Sequence, residues 1–202
     1  MSEDARRHAP ATARNRDALL DVLRRILPAG GMVLEVAAGT GEHAAHLAPH
    51  FPALAFQPTD PDAESRASID VWAAGQPNIR PALALDAAAE AWPVAAADAV
   101  LCVNMIHIAP WAATMGLVQG AARFLPPGGP LILYGPFRRG GAHTAPSNAE
   151  FDAALRARDP TWGVRDLEEV AALATVHGFG PPQVVDMPAN NLTVVLRRLG
   201  PA

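Results

Sequence analysis

In the run Val33-Leu34-Glu35-Val36-Ala37-Ala38-Gly39-Thr40-Gly41-Glu42-His43, the residues Glu35, Gly39 and Gly41 have the types and spacing to do chemistry. Glycine at 39 and 41 lets the backbone take φ > 0 and come within contact distance of a ligand, which a Cβ would prevent. Glu35 stands where an acid holds the loop amides or the ammonium group of a ligand. An apolar strand, an acid near its end, a tight turn and a helix, in that order, make the floor of a nucleotide-type pocket. Gly39-x-Gly41-x-x-Ala44 fits the dinucleotide fingerprint in its permissive form. Glu35-x-Ala37-x-Gly39-x-Gly41 fits the loop that binds S-adenosylmethionine, with Ala37 in the first glycine's place, where one added methyl narrows the approach without blocking it. The loop by itself admits both ligands.

Other residues carry chemistry less locally. Asp60 comes about 20 residues after the turn, the distance at which a carboxylate receives ribose hydroxyls; it is equally suited to cap the helix that follows. His107 has the near-neutral pKa of an acid/base group, with a structural histidine bonded to backbone as the plain alternative. Tyr134, the one tyrosine of the chain, ends an apolar strand on the same rim, where a substrate contact and a backbone-satisfied phenol both fit. Asn190-Asn191 and Arg14-Asn15 offer amides and a guanidinium to a polar substrate, although asparagine also favours turns with φ > 0. His43, His46 and His50 share a helix face at i, i+3 and i+7, a metal-ligand spacing. With no carboxylate or thiol on that face, a solvated face and no metal are expected.

Composition removes several classes. A formal net charge of −4 offers no basic stripe for a phosphate backbone, so no nucleic-acid partner is expected and a small molecule is. Every basic residue is arginine. A Schiff-base lysine, a Walker lysine and a Tyr/Lys dehydrogenase pair are thereby excluded. The single cysteine, Cys102, rules out an internal disulfide and a multi-thiolate zinc site and suits a reducing compartment. Met1 to Arg16 are charged and lack an apolar core, so neither export nor membrane insertion is signalled and the cytoplasm is expected. At 202 residues, half of them apolar, residues 1–202 read as one domain, with 1–16 as a flexible arm or lid.

The elements that must hold these residues alternate. Leu19, Leu20, Val22, Leu23, Ile26 and Leu27 recur at helical spacing before Pro28-Ala29-Gly30-Gly31. A strand and the glycine turn follow, then a helix through Ala48. Strands are predicted at Leu54–Pro58, Ile79–Leu85, Asp98–Asn104 and Leu131–Tyr134, with helices at Glu64–Ala74 and Trp111–Leu125. Gly135–Asn148 reads as a loop leaving the ligand edge. Helices at Ala149–Arg156 and Asp166–His177 precede strands at Gln183–Asp186 and Leu192–Arg197. The short Met187–Asn191 connection forces those last two strands into a hairpin, because a parallel return needs about a dozen residues. A terminal hairpin after five α/β units favours the S-adenosylmethionine sheet over the dinucleotide sheets.

Nearly the whole chain, from Thr12 to Arg197, resembles the methyltransferase-like protein 26 family, also known as domain of unknown function 938, within the class I S-adenosylmethionine-dependent methyltransferases. Carrying the likeness are Arg14-Asn15, Val33–Ala37 with Gly39-x-Gly41-x-His43, Gln57-Pro58-Thr59-Asp60 and Asn104-Met105-x-His107. Further on come Tyr134-Gly135-Pro136, Ser147-Asn148, Trp162-Gly163-x-Arg165-Asp166 and Asp186–Asn191. The resemblance implies an α/β three-layer sandwich with a Rossmann-like, seven-stranded, mostly parallel sheet ending in an antiparallel hairpin. It also implies S-adenosyl-L-methionine as cofactor, held by Glu35, Ala37, Gly39, Gly41, Asp60, Asp86 beside the adenine, and Asn104 and Met105 beside the methionine. His107 and Tyr134 are the expected catalytic residues, and Arg14, Asn15, Asn190 and Asn191 are expected to bind a small-molecule acceptor. Two alternatives stand beside this: a protein that binds the cofactor without transferring a methyl group, and an NAD-dependent oxidoreductase.

Overall fold

The computed structural model describes residues 6–200. Helix α1 (Pro10–Ile26) opens with proline at a position where a missing N–H costs nothing, and buries the stripe Thr12, Asn15, Leu19, Leu23 and Ile26. Strand β1 (Gly31–Val36) leads into the glycine turn and α2 (Glu42–Leu47); β2 (Leu54–Thr59) leads into α3 (Ala63–Ala73), whose first turn is capped by Asp62. Next come β3 (Ala99–Val103), a single 3₁₀ turn at Met105–His107, α4 (Trp111–Phe124) and β4 (Pro130–Gly135). A two-residue ribbon, β5 (Arg138–Arg139) and β6 (Ala142–His143), precedes α5 (Pro146–Arg158) and α6 (Leu167–Val176); β7 (Gln183–Met187) and β8 (Asn191–Arg197) close the chain.

The sheet order is β2-β1-β3-β4-β8-β7. β1 to β4 run parallel, and β8 is antiparallel to both β4 and β7. β7 therefore points the same way as β4, and the turn after it hangs over the same edge as the glycine loop. Central strands are buried on both faces, as a sheet covered by helices on each side requires. Val33, Leu101, Ile132 and Val195 pack with α1 and α2 on one face, and Leu34, Val100, Leu131 and Val194 pack with α4 and α6 on the other. Among the described residues, no helix is long and apolar enough to cross a membrane.

Three sequence expectations change. The segment predicted as a strand at Ile79–Leu85 runs along β2 through isolated bridges Phe56↔Ile79 and Thr59↔Leu83, without a continuous ladder. Pro81 has no N–H to give, and the Ala82 N–H is taken by Asp70. Residues 10–16 of the expected arm are the first two turns of α1, and residues 1–5 lie outside the described part. The loop expected from Gly135 to Asn148 contains the β5–β6 ribbon and the start of α5.

The segment between Leu85 and Ala97 docks on α4, where Gly116 meets backbone: a Cβ there would come 2.1 Å from the Ala87 carbonyl oxygen. Alanine is the better helix former by about 1 kcal/mol, yet Gly116→Ala is expected to lower stability by about 2–3 kcal/mol through the clash. Urea unfolding reads the sign directly; a stabilised variant would mean that this segment is not held against α4.

Candidate functional site

Chain exits at the carboxyl edge of the parallel strands gather most of the residues singled out above. Val36 ends β1, and the chain turns through Ala37 (φ 57°), Gly39 (φ 59°) and Gly41 (φ 89°) into α2. The space above Gly39 is open, with no atom within 4 Å of where a Cβ would stand, whereas at Gly41 a Cβ would lie 2.7 Å from the Ile69 Cα. Gly41 is thus required by packing and Gly39 by access. Asp60, just past β2, fixes the turn: its Oδ2 accepts the Gly39 N–H at 2.9 Å and its Oδ1 the Asp62 N–H at 3.0 Å. Burial raises its pKa, against those two backbone hydrogen bonds.

Glu35 is 1 % exposed, and neither carboxyl oxygen has a hydrogen-bond partner among the described residues. Burial, with a smaller push from the Asp60 charge, raises its pKa to about 8. A carboxyl group left bare in the interior is costly, and a cation placed against it would recover that cost.

A cavity of about 550 Å³ opens at the same edge of the sheet. Arg14 and Asn15 from α1, Asn104 after β3, Tyr134 on β4, Asn190 before β8 and Asn191 at its start all line it, so six residues chosen from distant stretches of sequence meet in one place. Tyr134 is buried; burial pushes its phenol up, opposed by side-chain hydrogen bonds from Asn191 and Asn15 and by the charge of Arg14. The described non-glycine residues with positive φ are Ala37, Asn104, Ala189 and Asn190. All stand at this edge, three of them on the cavity wall. Left-handed backbone in residues with a Cβ costs about 1–2 kcal/mol each and clusters where a site imposes it.

Some expected residues lie elsewhere. His107 is 0 % exposed and does not line the cavity. Its Nδ1 accepts the Arg165 N–H at 3.2 Å, its ring meets Phe137 edge-on, and burial lowers its pKa to about 3. A base in that position has no access to a molecule in the cavity, so the expected acid/base role gives way to a structural one. Arg165 completes the brace by donating to the carbonyls of Ile106 and Ala109. Asp86 is exposed and its Oδ1 accepts the Ala88 N–H, the turn-forming alternative for that residue. Met105 is buried in the core on the α4 face.

The histidine face also divides. His50 is exposed and His46 reaches Asp17 at 3.0 Å, but His43, expected on a solvated face, is buried with its Nε2 2.8 Å from Asn15 Oδ1. Burial lowers its pKa to about 4. Among the cavity residues to which the sequence assigned no role are Asn148 and Phe151 on α5. Asn148 and His43 sit in segments that carry the family resemblance, and that was the available signal; Phe151 had none.

Residues 6–198 match the family model described as "Protein of unknown function (DUF938)". Among solved structures, the chain is similar to the mitomycin 7-O-methyltransferase MmcR (TM-score 0.78, 16 % identity, 93 % of this chain and 54 % of that one). It is also similar to CalO1, a methyltransferase of calicheamicin biosynthesis in its SAH-bound form (0.73, 21 %, 93 % and 54 %). A third likeness is to human N-acetylserotonin methyltransferase in complex with SAM (0.71, 16 %, 92 % and 55 %). The chain spans about half the length of these proteins, and at such identities the likeness is one of fold: an α/β, Rossmann-like methyltransferase architecture with a terminal antiparallel hairpin.

Two outcomes test this electrostatic description. A carboxyl whose pKa is higher in the folded than in the unfolded protein binds protons preferentially in the native state, so Glu35 makes stability fall as pH rises from about 4.5 to about 8. The whole effect is on the order of 3–5 kcal/mol, and Glu35→Gln should flatten that limb of a pH–stability curve measured by urea unfolding. Separately, ultraviolet titration of the sole tyrosine should give a phenol pKa above the ordinary value, raised further in Asn191→Ala; a fall in that variant would mean that Asn191 does not donate to the phenol oxygen.

Proposed function

The chain belongs to the DUF938 family, and on that premise, with the geometry above, we propose that it is an S-adenosylmethionine-dependent methyltransferase acting on a small molecule. The observation that carries the reading is Glu35. A buried carboxyl without a partner, next to an open glycine turn, fits a ligand that presents an ammonium group to the end of β1. Gly39 would let the ligand approach the backbone, Asp60 would hold the turn and receive hydroxyls, and Asn104 would border both the cofactor and the cavity. S-adenosylmethionine supplies an activated methyl group on a sulfonium. The residues of this chain align an acceptor with it and exclude water, since such a displacement needs no covalent enzyme intermediate.

The expected cofactor contacts Ala37, Asp86 and Met105 remain part of this reading, with Met105 reduced to backbone contact by its burial in the core. On the acceptor side it keeps Arg14, Asn15, Tyr134, Asn190 and Asn191. The finer likeness to methyltransferase-like protein 26, the single domain spanning 1–202 and the cytoplasmic setting belong to the same proposal. A cavity lined by an arginine, a tyrosine and several asparagines favours transfer over mere cofactor storage, because storage gives no reason to build an acceptor side.

Calorimetry with S-adenosylhomocysteine and with NAD tests it. S-adenosylhomocysteine is expected to bind and to drive ionisation of Glu35. Binding at pH 7 should then release up to about one proton, seen as an apparent enthalpy that differs between phosphate and Tris buffers. Glu35→Gln should lose that buffer dependence, and Gly39→Ala should weaken binding at least about tenfold, or 1.4 kcal/mol, at a stability cost of about 1 kcal/mol. Binding of NAD in place of S-adenosylhomocysteine, or of neither, would overturn the reading.

A further inference from the structure

We propose that the cavity takes its methyl acceptor by a carboxylate, clasped between the Arg14 guanidinium and the Tyr134 hydroxyl, with the tyrosine's direction set by Asn15 and His43. This rests on reading the cavity as the acceptor side of the site.

Helical periodicity places His43 on a solvated face, and the fold buries its ring. Asn15 Oδ1 can only accept, so its 2.8 Å contact with His43 Nε2 is a donation from the imidazole N–H. Burial keeps that ring neutral at physiological pH. With Asn15 Oδ1 facing the histidine, the Asn15 amide N–H groups are left for Tyr134. Asn15 and Asn191 line the same cavity as Tyr134 and hold its phenol pKa down against burial, as amides beside its oxygen do. Among the described residues no group accepts the tyrosine O–H, which is left to donate to whatever occupies the cavity that Tyr134 lines. Burial holds the phenol in its protonated form, so the group is a donor and not a base.

Arg14 lies on the same wall, close enough for its charge to act on Tyr134. It is exposed, and no acidic side chain lines the cavity among the described residues. The neighbouring amides are engaged within the protein: Asn148 Nδ2 donates to Thr144 and to the Asn190 carbonyl, and Asn190 Nδ2 and Asn191 Nδ2 give one hydrogen each to Ser147 and to the Pro188 carbonyl. A guanidinium and an outward O–H on one wall match the two oxygens of a carboxylate, since charge-assisted donors bind anionic oxygen most strongly. Phe151 and Ile108, which line the same cavity, remain 39 % and 42 % exposed. They suit an apolar body attached to that carboxylate. One guanidinium balances one negative charge, which favours a monoanion over a phosphate ester.

The test uses the full chain with saturating S-adenosylhomocysteine and five probes: benzoate, hexanoate, benzamide, benzylammonium and phenyl phosphate. Calorimetric or NMR titration should find benzoate or hexanoate at least about tenfold tighter than the other three, a difference of about 1.4 kcal/mol. Arg14→Gln and Tyr134→Phe should each remove about tenfold of carboxylate affinity while leaving S-adenosylhomocysteine affinity unchanged. His43→Ala should weaken benzoate and raise the phenol pKa read by ultraviolet titration, a signature that mere loss of packing would not produce. Circular dichroism verifies that each variant is folded, and Asn15→Ala repeats the measurement where His43→Ala does not fold. Equal binding of benzamide, benzylammonium or phenyl phosphate, an unchanged Arg14→Gln, or no carboxylate binding at the solubility limit would each overturn the proposal. Benzoate binding without S-adenosylhomocysteine binding would instead sink the methyl-transfer reading and leave the carboxylate site standing.

Discussion

A parallel sheet forces every strand to end on the same edge, and the chain must leave that edge without a ladder to satisfy its backbone. This protein meets the constraint with left-handed turns: Ala37 after β1, Asn104 after β3, and Ala189 and Asn190 after β7. Each turn swings the next few residues across the strand ends rather than outward. The Asn104 bend and the Pro188–Asn190 turn therefore converge with the end of β4, and the cavity is the space they enclose with α1 and α5. Asp60 and Arg165 act as braces for this edge, one tying the glycine turn to β2 and the other tying the Met105–His107 turn to the segment before α6. Without them, exits of this kind would be mobile loops.

Burial then divides the titratable groups at this edge by task. Desolvation pushes acids up and bases down, so Glu35 and Tyr134 favour their protonated forms while His43 and His107 favour their neutral rings. In the absence of a ligand the interior of the site carries little charge, and Arg14 at its mouth is the fixed cation. Such an arrangement keeps the folding cost of the site small and reserves charge for the bound state: a ligand ammonium would ionise Glu35. The histidines at 43 and 107 thus serve as hydrogen-bonding struts. His107 was read as an acid/base group because its residue type and its place after a strand suited that task, and only depth in the fold distinguishes a strut from a base.

Much of the architecture was legible because local rules and the global fold agree. Apolar runs gave β1 to β4, helical spacing gave α1 and α4, and the short Met187–Asn191 connection could only be a hairpin. Asp60 was legible from its distance to the turn, although its backbone-fixing role emerges only from the hydrogen bonds to Gly39 and Asp62. The segment at Ile79–Leu85 misled because its alternation is that of a strand, while Pro81 removes the donor needed for a ladder. Arg14 and Asn15 read as part of an arm because the charged residues around them conceal the buried stripe that Asn15 shares with Leu19 and Leu23; Thr12 and Asn15 are polar residues on the apolar face of α1. His43 was hidden for the same reason, since helical periodicity places it beside His46 and His50 and says nothing of what packs against α2.

The position of His43 has a mechanical consequence for the whole site. It lies two residues beyond Gly41, at the start of α2, so its ring moves with the glycine turn. From there the contact passes to Asn15 on α1, which lines the cavity together with Tyr134 of β4. α2 is held from outside as well, because Glu42 accepts hydrogen bonds from the Ala9 backbone and from Thr40 and contacts His8. The turn that would hold the cofactor and the wall of the cavity are therefore joined by the His43–Asn15 contact rather than by a long path through the core. A shift of the glycine turn would be felt at Asn15, because packed interiors transmit displacement rather than absorb it. On this view His43 is kept near the turn to make the two halves of the site rigid with respect to each other, which is the requirement for aligning two reactants with little chemistry asked of the protein itself.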